Sequence, residues 1–167
     1  MLRKRPRKRA LGPGQSTDTQ AAGNAAVVLL SRRDFCSQEL AEKLVAQGYE
    51  QDTVRGVVDE LLERGFVNDE RYAHQYVGMH AARGHGPLRI HRELSQLGLD
   101  PGLIESAVAG GEDWAQRARE LRIRRFGLAQ PADWPAKAKQ ARFLQYRGFS
   151  NDHIRAALDS EVSDDSS

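Results

Sequence analysis

Residues 48–62 read Gly48-Tyr49-Glu50-Gln51-Asp52-Thr53-Val54-Arg55-Gly56-Val57-Val58-Asp59-Glu60-Leu61-Leu62. Val54, Val57, Val58, Leu61 and Leu62 fall at i, i+3, i+4, i+7 and i+8. That spacing gathers them into one stripe along an α-helix and excludes a strand, whose side chains alternate every second residue. Gly48 reads as the left-handed stop of a preceding helix. Glu50 sits where the dipole of the next helix favours negative charge.

The same pattern returns at intervals of fifty residues. Gly48, Gly98 and Gly148 are followed by Tyr49, Leu99 and Phe149, then by Glu50, Asp100 and Ser150. Val54, Ile104 and Ile154 share a register, as do Val57, Ala107 and Ala157, Val58, Val108 and Leu158, and upstream Leu44, Leu94 and Leu144. A fixed period of this length marks tandem structural units. Working outward, the punctuation predicts helices near 21–32, 38–47 and 51–64, then 69–83, 87–97 and 101–109, then 112–126, 134–147 and 151–159. Ser37, Asn68, Asp100 and Asp133 are the expected N-caps, and Gly65, Gly84 and Gly127 mark ends. The expected fold is all-α: three tandem three-helix repeats forming an elongated, curved array, with repeats at 21–65, 66–110 and 111–159. A unit of this size buries little surface alone, so neighbours must share interfaces. Residues 1–20 are expected to be a disordered basic tail and residues 160–167 a disordered acidic one.

The chain has 25 Lys and Arg against 23 Asp and Glu. Arg3, Lys4, Arg5, Arg7, Lys8 and Arg9 crowd its start, while Asp159, Glu161, Asp164 and Asp165 crowd its end. Without these tails the body is neutral, so a basic surface requires segregation of charge. Cys36 is the sole cysteine, which excludes an internal disulfide and a multi-cysteine metal site and suits a reducing compartment. No signal-peptide pattern follows the basic start, and no apolar run reaches membrane-spanning length. The expectation is a soluble, cytoplasmic protein without membrane association.

Catalytic patterns are not found. His74, His80, His85, His91 and His153 show no metal-ligand spacing and read as ordinary helical histidines, so no metal site and no cofactor are expected. Gly84-His85-Gly86 lacks the lysine and preceding strand of a nucleotide loop. Cys36 near a helix start has no partner histidine in the pattern and reads as a structural thiol. Arginine placement is more informative. Arg83, Arg89 and Arg92 flank the helix start at Pro87; Arg122, Arg124 and Arg125 load the seventh helix; Arg142 and Arg147 lie on the eighth. Guanidinium groups suit bidentate contact with phosphate or carboxylate. These eight arginines and the six basic residues of the tail are the candidate contacts to a protein or DNA partner.

Residues 25–159 resemble the RecX family, regulators of the bacterial recombinase RecA. The resemblance rests on Leu29-Leu30-Ser31-Arg32-Arg33 with Ser37-Gln38-Glu39-Leu40, on Gly65-Phe66-Val67-Asn68-Asp69-Glu70-Arg71-Tyr72-Ala73, and on Gly84-His85-Gly86-Pro87-Leu88-Arg89-Ile90. It continues in Arg125-Phe126-Gly127 and in Arg142-Phe143-Leu144-Gln145-Tyr146-Arg147-Gly148-Phe149-Ser150. The resemblance implies a protein of tandem three-helix repeats with no catalytic residues and no cofactor; a monomer is expected. It implies binding in the groove of the RecA filament on single-stranded DNA, limiting filament growth and lowering ATP hydrolysis, strand exchange and co-protease activity. That places the chain in homologous recombination, DNA repair and the SOS response. The basic start lies outside the resemblance. It supports an alternative, a stand-alone single- or double-stranded DNA-binding protein that uses the tail and the arginine-rich helices.

Overall fold

A computed structural model describes residues 16–159 of the chain. The described residues form nine α-helices: α1 Thr19–Leu30, α2 Ser37–Ala46, α3 Gln51–Glu63, α4 Asp69–Ala82, α5 Pro87–Gln96, α6 Pro101–Gly110, α7 Trp114–Phe126, α8 Trp134–Tyr146 and α9 Asn151–Asp159. The chain divides into two compact units between Tyr72 and Ala73, inside α4. The fifty-residue register is a register of burial. Leu44, Leu94 and Leu144 are each 0% exposed, and Val54, Ile104 and Ile154 are all buried, as are Val57, Ala107 and Ala157. The glycines that open each register have positive φ, at 101° for Gly48, 77° for Gly98 and 94° for Gly148. Each stops one helix and starts the next within three residues, which is why the stripe resumes in phase.

In the first unit, α1, α2 and α3 bury Ala22, Ala26, Leu40, Leu44, Val57 and Leu61 in one core with Phe35 and Val67. Asp18 starts α1 by accepting a hydrogen bond from the Ala21 amide at 2.9 Å, two residues before the expected start. Ser37 is not the cap expected from its position. The α2 cap is Cys36, whose side chain makes no cap bond. The carboxylate of Asp69 serves instead, accepting from the Ser37 amide at 2.7 Å and from its hydroxyl at 2.5 Å. A charged acceptor at a helix N-terminus meets both the orphan amide and the dipole. Asp69→Ala is expected to cost about 1–2 kcal/mol. The check is faster hydrogen exchange at the Ser37 amide and in the first turn of α2.

Asn68, Asp100, Asp113 and Asp133 do cap their helices, each accepting a backbone amide within its own first turn. Glu50 precedes α3 without a side-chain cap bond.

In the second unit, α5 to α9 enclose Ile90, Leu94, Ile104, Leu121, Leu144 and Phe149. Trp114 donates its indole N–H to the Val108 carbonyl at 2.9 Å and so closes α6 onto α7. The start of α5 meets the α8–α9 turn backbone to backbone: the Gly86 amide donates to the Arg147 carbonyl at 2.8 Å and the Leu88 amide to that of Gly148 at 3.0 Å. There is no room between them for a side chain. A Cβ on Gly86 would stand 2.3 Å from the Gly148 carbonyl carbon. The Gly-His-Gly stretch is thus a close approach of two backbones.

Among the described residues no helix is long and apolar enough to cross a membrane.

Candidate partner-binding surface

The charge of the described residues is divided between the units. Residues 16–72 carry eleven acids and six bases, whereas residues 73–159 carry thirteen bases and nine acids. All eight arginines singled out from the sequence lie in the second, basic unit. The six basic residues Arg3, Lys4, Arg5, Arg7, Lys8 and Arg9 lie outside the described residues.

The eight arginines do not form one class. Arg83, Arg92, Arg124, Arg125 and Arg142 are exposed. Arg89 is half-buried and donates through Nε to Glu93 at 2.8 Å. Arg147 is half-buried and donates to the Arg83 carbonyl at 3.2 Å. Arg122 is a correction: it is 1% exposed and cannot reach a partner. Its guanidinium donates to the carbonyls of Ala129 at 3.1 Å and Leu128 at 3.4 Å, tying the loop after α7 back to the helix. Burial and the charge of Arg119 push its pKa down. The spacing of α7 predicts a buried side of Trp114, Leu121 and Phe126; the first two are buried, Phe126 is only partly so, and the buried face also takes in Arg122. An arginine stem carries enough methylene to pack in a core while its head finds carbonyls, and a count of charges along a helix does not distinguish such a residue.

Arg89 and Arg92 open onto a cleft of about 410 Å³ lined also by Glu93, Gln96, Gln145, Tyr146 and Gly148. Tyr146 is 83% exposed, and across the α7–α8 connection Leu128 and Trp134 are also largely exposed. Phe126 and Phe143 pack edge to face with centroids 5.4 Å apart, and the Arg125 guanidinium lies 5.7 Å from the Phe126 ring. Exposed aromatic faces beside guanidinium groups are what single-stranded nucleic acids and acidic protein surfaces use for stacking and charge pairing. Tyr146 and Trp134 were not among the residues singled out from the sequence. Only their exposure in the fold separates them from core aromatics.

The first unit presents a different feature, a groove of about 650 Å³ between α2 and α3. Its lining combines Ala41, Val45, Val54 and Val58 with Glu42, Arg55 and Asp59. Cys36 is buried in this unit and not in a disulfide. Burial pushes the thiol pKa up, so it stays protonated.

Two of the histidines meet in one cluster, His80 from α4 and His85 from the turn that follows it rather than from a helix. The Nδ1 atoms of His80 and His85 lie 3.0 Å apart, and Glu93 places Oε2 3.4 Å from the first and 3.9 Å from the second. Tyr76 stacks on His80 with centroids 3.9 Å apart and donates its hydroxyl to Glu93 Oε2 at 3.0 Å. Burial lowers the pKa of both histidines; Arg89 lowers both further, while Glu93 works against it. Nothing in the spacing 80, 85 and 93 announces this meeting, because it depends on the reversal at Gly84, where φ is 81°.

An all-helical protein whose second unit carries a basic, aromatic-edged surface is the class that the geometry of the described residues defines. The comparisons then narrow it. The first, second and third three-helix domains of RecX match residues 22–61, 68–108 and 112–158. Proteins named Regulatory protein RecX match most of the chain: that of Halorhodospira halophila is 40% identical over 88% of this chain and 92% of its own length. That of Xanthomonas axonopodis pv. citri is 40% identical over 90% and 94%, and that of Vibrio vulnificus 38% over 83% and 92%. The crystal structure of RecX from Lactobacillus salivarius superposes with a TM-score of 0.75 at 25% identity, covering 84% of this chain and 94% of that one. The chain belongs to the RecX family of regulatory proteins.

Proposed function

We propose that this protein is a non-enzymatic, cytoplasmic regulator that binds the RecA–DNA filament and inhibits its recombinase, ATPase and co-protease activities. Membership of the RecX family along most of the chain is the observation that carries this reading. The placement of charge supports the contact surface. Exposed Arg83, Arg92, Arg124, Arg125 and Arg142, with Arg89 at the cleft and Arg147 half-buried, face an anionic partner, either an acidic strip of the filament or the single-stranded DNA within it. The basic residues 3–9 add phosphate attraction from outside the helices. The protein acts as a monomer without a cofactor. A regulator of this kind shifts an equilibrium by binding one filament state more tightly than another.

The DNA-dependent ATPase of RecA, titrated with this protein, is expected to fall as the ratio rises. The combined change Arg92→Glu, Arg124→Glu and Arg142→Glu should raise the concentration for half inhibition at least about tenfold, equivalent to about 1.4 kcal/mol. An unchanged ATPase at every ratio rejects inhibition. The alternative, a stand-alone DNA binder, is favoured by the six bases of the tail. It requires tight binding to bare DNA that falls steeply with salt and is lost on deletion of residues 1–9.

A further inference from the structure

We propose that His80, His85 and Glu93 form a binding site for one divalent transition-metal ion of the zinc class, ligated by the two Nδ1 atoms and by Glu93 Oε2. The three atoms form a triangle with sides of 3.0, 3.4 and 3.9 Å, and a point equidistant from them lies about 2.0 Å from each. That is the length of a zinc–imidazole or zinc–carboxylate bond, roughly 2.0–2.2 Å. An ion placed slightly out of their plane therefore reaches all three without rearrangement of the helices. Two imidazoles with one carboxylate suit zinc, cobalt, nickel or copper rather than magnesium or calcium, which take oxygen donors.

The surroundings are those of a held ligand set. The last turn of α4 carries His80, the turn at Gly84 carries His85, and the second turn of α5 carries Glu93. Tyr76 and Arg89 each hydrogen-bond one oxygen of Glu93 and fix its orientation, as the outer partners of metal carboxylates do. All three ligands are partly buried, which shields the ion while leaving a fourth position for water. Ligation through both Nδ1 atoms requires the hydrogen of each neutral ring to stand on Nε2. Arg83 and Arg147 oppose the added charge and set a limit on affinity.

Bound there, the ion would tie α4 to α5 beside the backbone junction of Gly86 and Leu88 with the α8–α9 turn.

The test is calorimetric titration of the metal-stripped full chain with Zn²⁺. One ion per chain is expected. The His80→Gln/His85→Gln double variant should bind at least about tenfold more weakly, whereas His74→Gln/His91→Gln should bind as the parent does. Tyr76→Phe should weaken binding about tenfold, the effect of removing an outer partner. Absence of binding by the parent, or undiminished binding by the His80/His85 variant, overturns the proposal. Should that variant fail to fold by circular dichroism, imidazole nitrogen NMR of the parent decides. Zn²⁺ must shift two Nδ1 resonances belonging to His80 and His85, and shifts confined to other histidines overturn the assignment.

Discussion

Replacing Gly86 with alanine is expected to cost the second unit about 3–5 kcal/mol and to separate the start of α5 from the α8–α9 turn. The added methyl would sit 2.3 Å from the carbonyl carbon of Gly148, 2.4 Å from its oxygen and 2.5 Å from the Phe149 nitrogen. All three are backbone atoms, so no side chain can swing aside. Overpacking of this kind costs about 1–3 kcal/mol. The two hydrogen bonds from Gly86 and Leu88 to that turn break with it, at about 1 kcal/mol each. Gly148→Ala should be at least as severe, because φ there is 94° and the new Cβ would meet Arg89 Cβ at 2.4 Å. Gly65 is the control: its φ is 71° but nothing lies within 4 Å of the site, so alanine there should cost about 1–2 kcal/mol from the backbone alone. Both tryptophans, Trp114 and Trp134, belong to the second unit, so denaturant unfolding followed by their fluorescence reads the effect where it arises. A Gly86→Ala protein as stable as the parent would mean that the two turns do not touch in this way.

Arg122→Ala should destabilise the same unit by about 3 kcal/mol, whereas Arg122→Met should cost roughly half as much. Alanine removes a fully buried side chain and leaves a cavity, an effect of about 2–5 kcal/mol for side chains of this size. Methionine refills much of that space and forfeits only the bonds to Ala129 and Leu128, whose carbonyls lie on exposed residues and can turn to water. It also relieves the desolvation of a guanidinium that has carbonyls but no carboxylate in contact. Arg124→Glu and Arg125→Glu, on the exposed side of the same helix, should change stability by no more than about 0.5 kcal/mol. The contrast separates the arginine that holds the fold from those offered to a partner. Equal losses at all three positions would show that α7 packs differently.

The tandem architecture was legible because it is written in local terms. An i, i+3, i+4 stripe, a glycine that can turn left-handed and a capping side chain are properties of short segments. Their repetition at Leu44, Leu94 and Leu144 left only one helical register in which all three could be buried. The candidate surface was legible only in outline. The sequence located a cluster of arginines in α5, α7 and α8, and the fold sorted them. Arg122 faces inward because helix α7 needs a long stem to reach the loop carbonyls, while Arg124 and Arg125, two and three residues on, face water.

Helix periods, caps and stops were therefore decided by the chain's own local chemistry. Which residues meet across distant segments was decided by packing: Asp69 on the amide of Ser37, Gly86 against Gly148, and His80 and His85 around the carboxylate of Glu93. Such meetings depend on how each turn redirects the following helix. Those directions arise from the sum of many apolar contacts between segments far apart in the sequence, and no window short enough to read as a motif contains that sum.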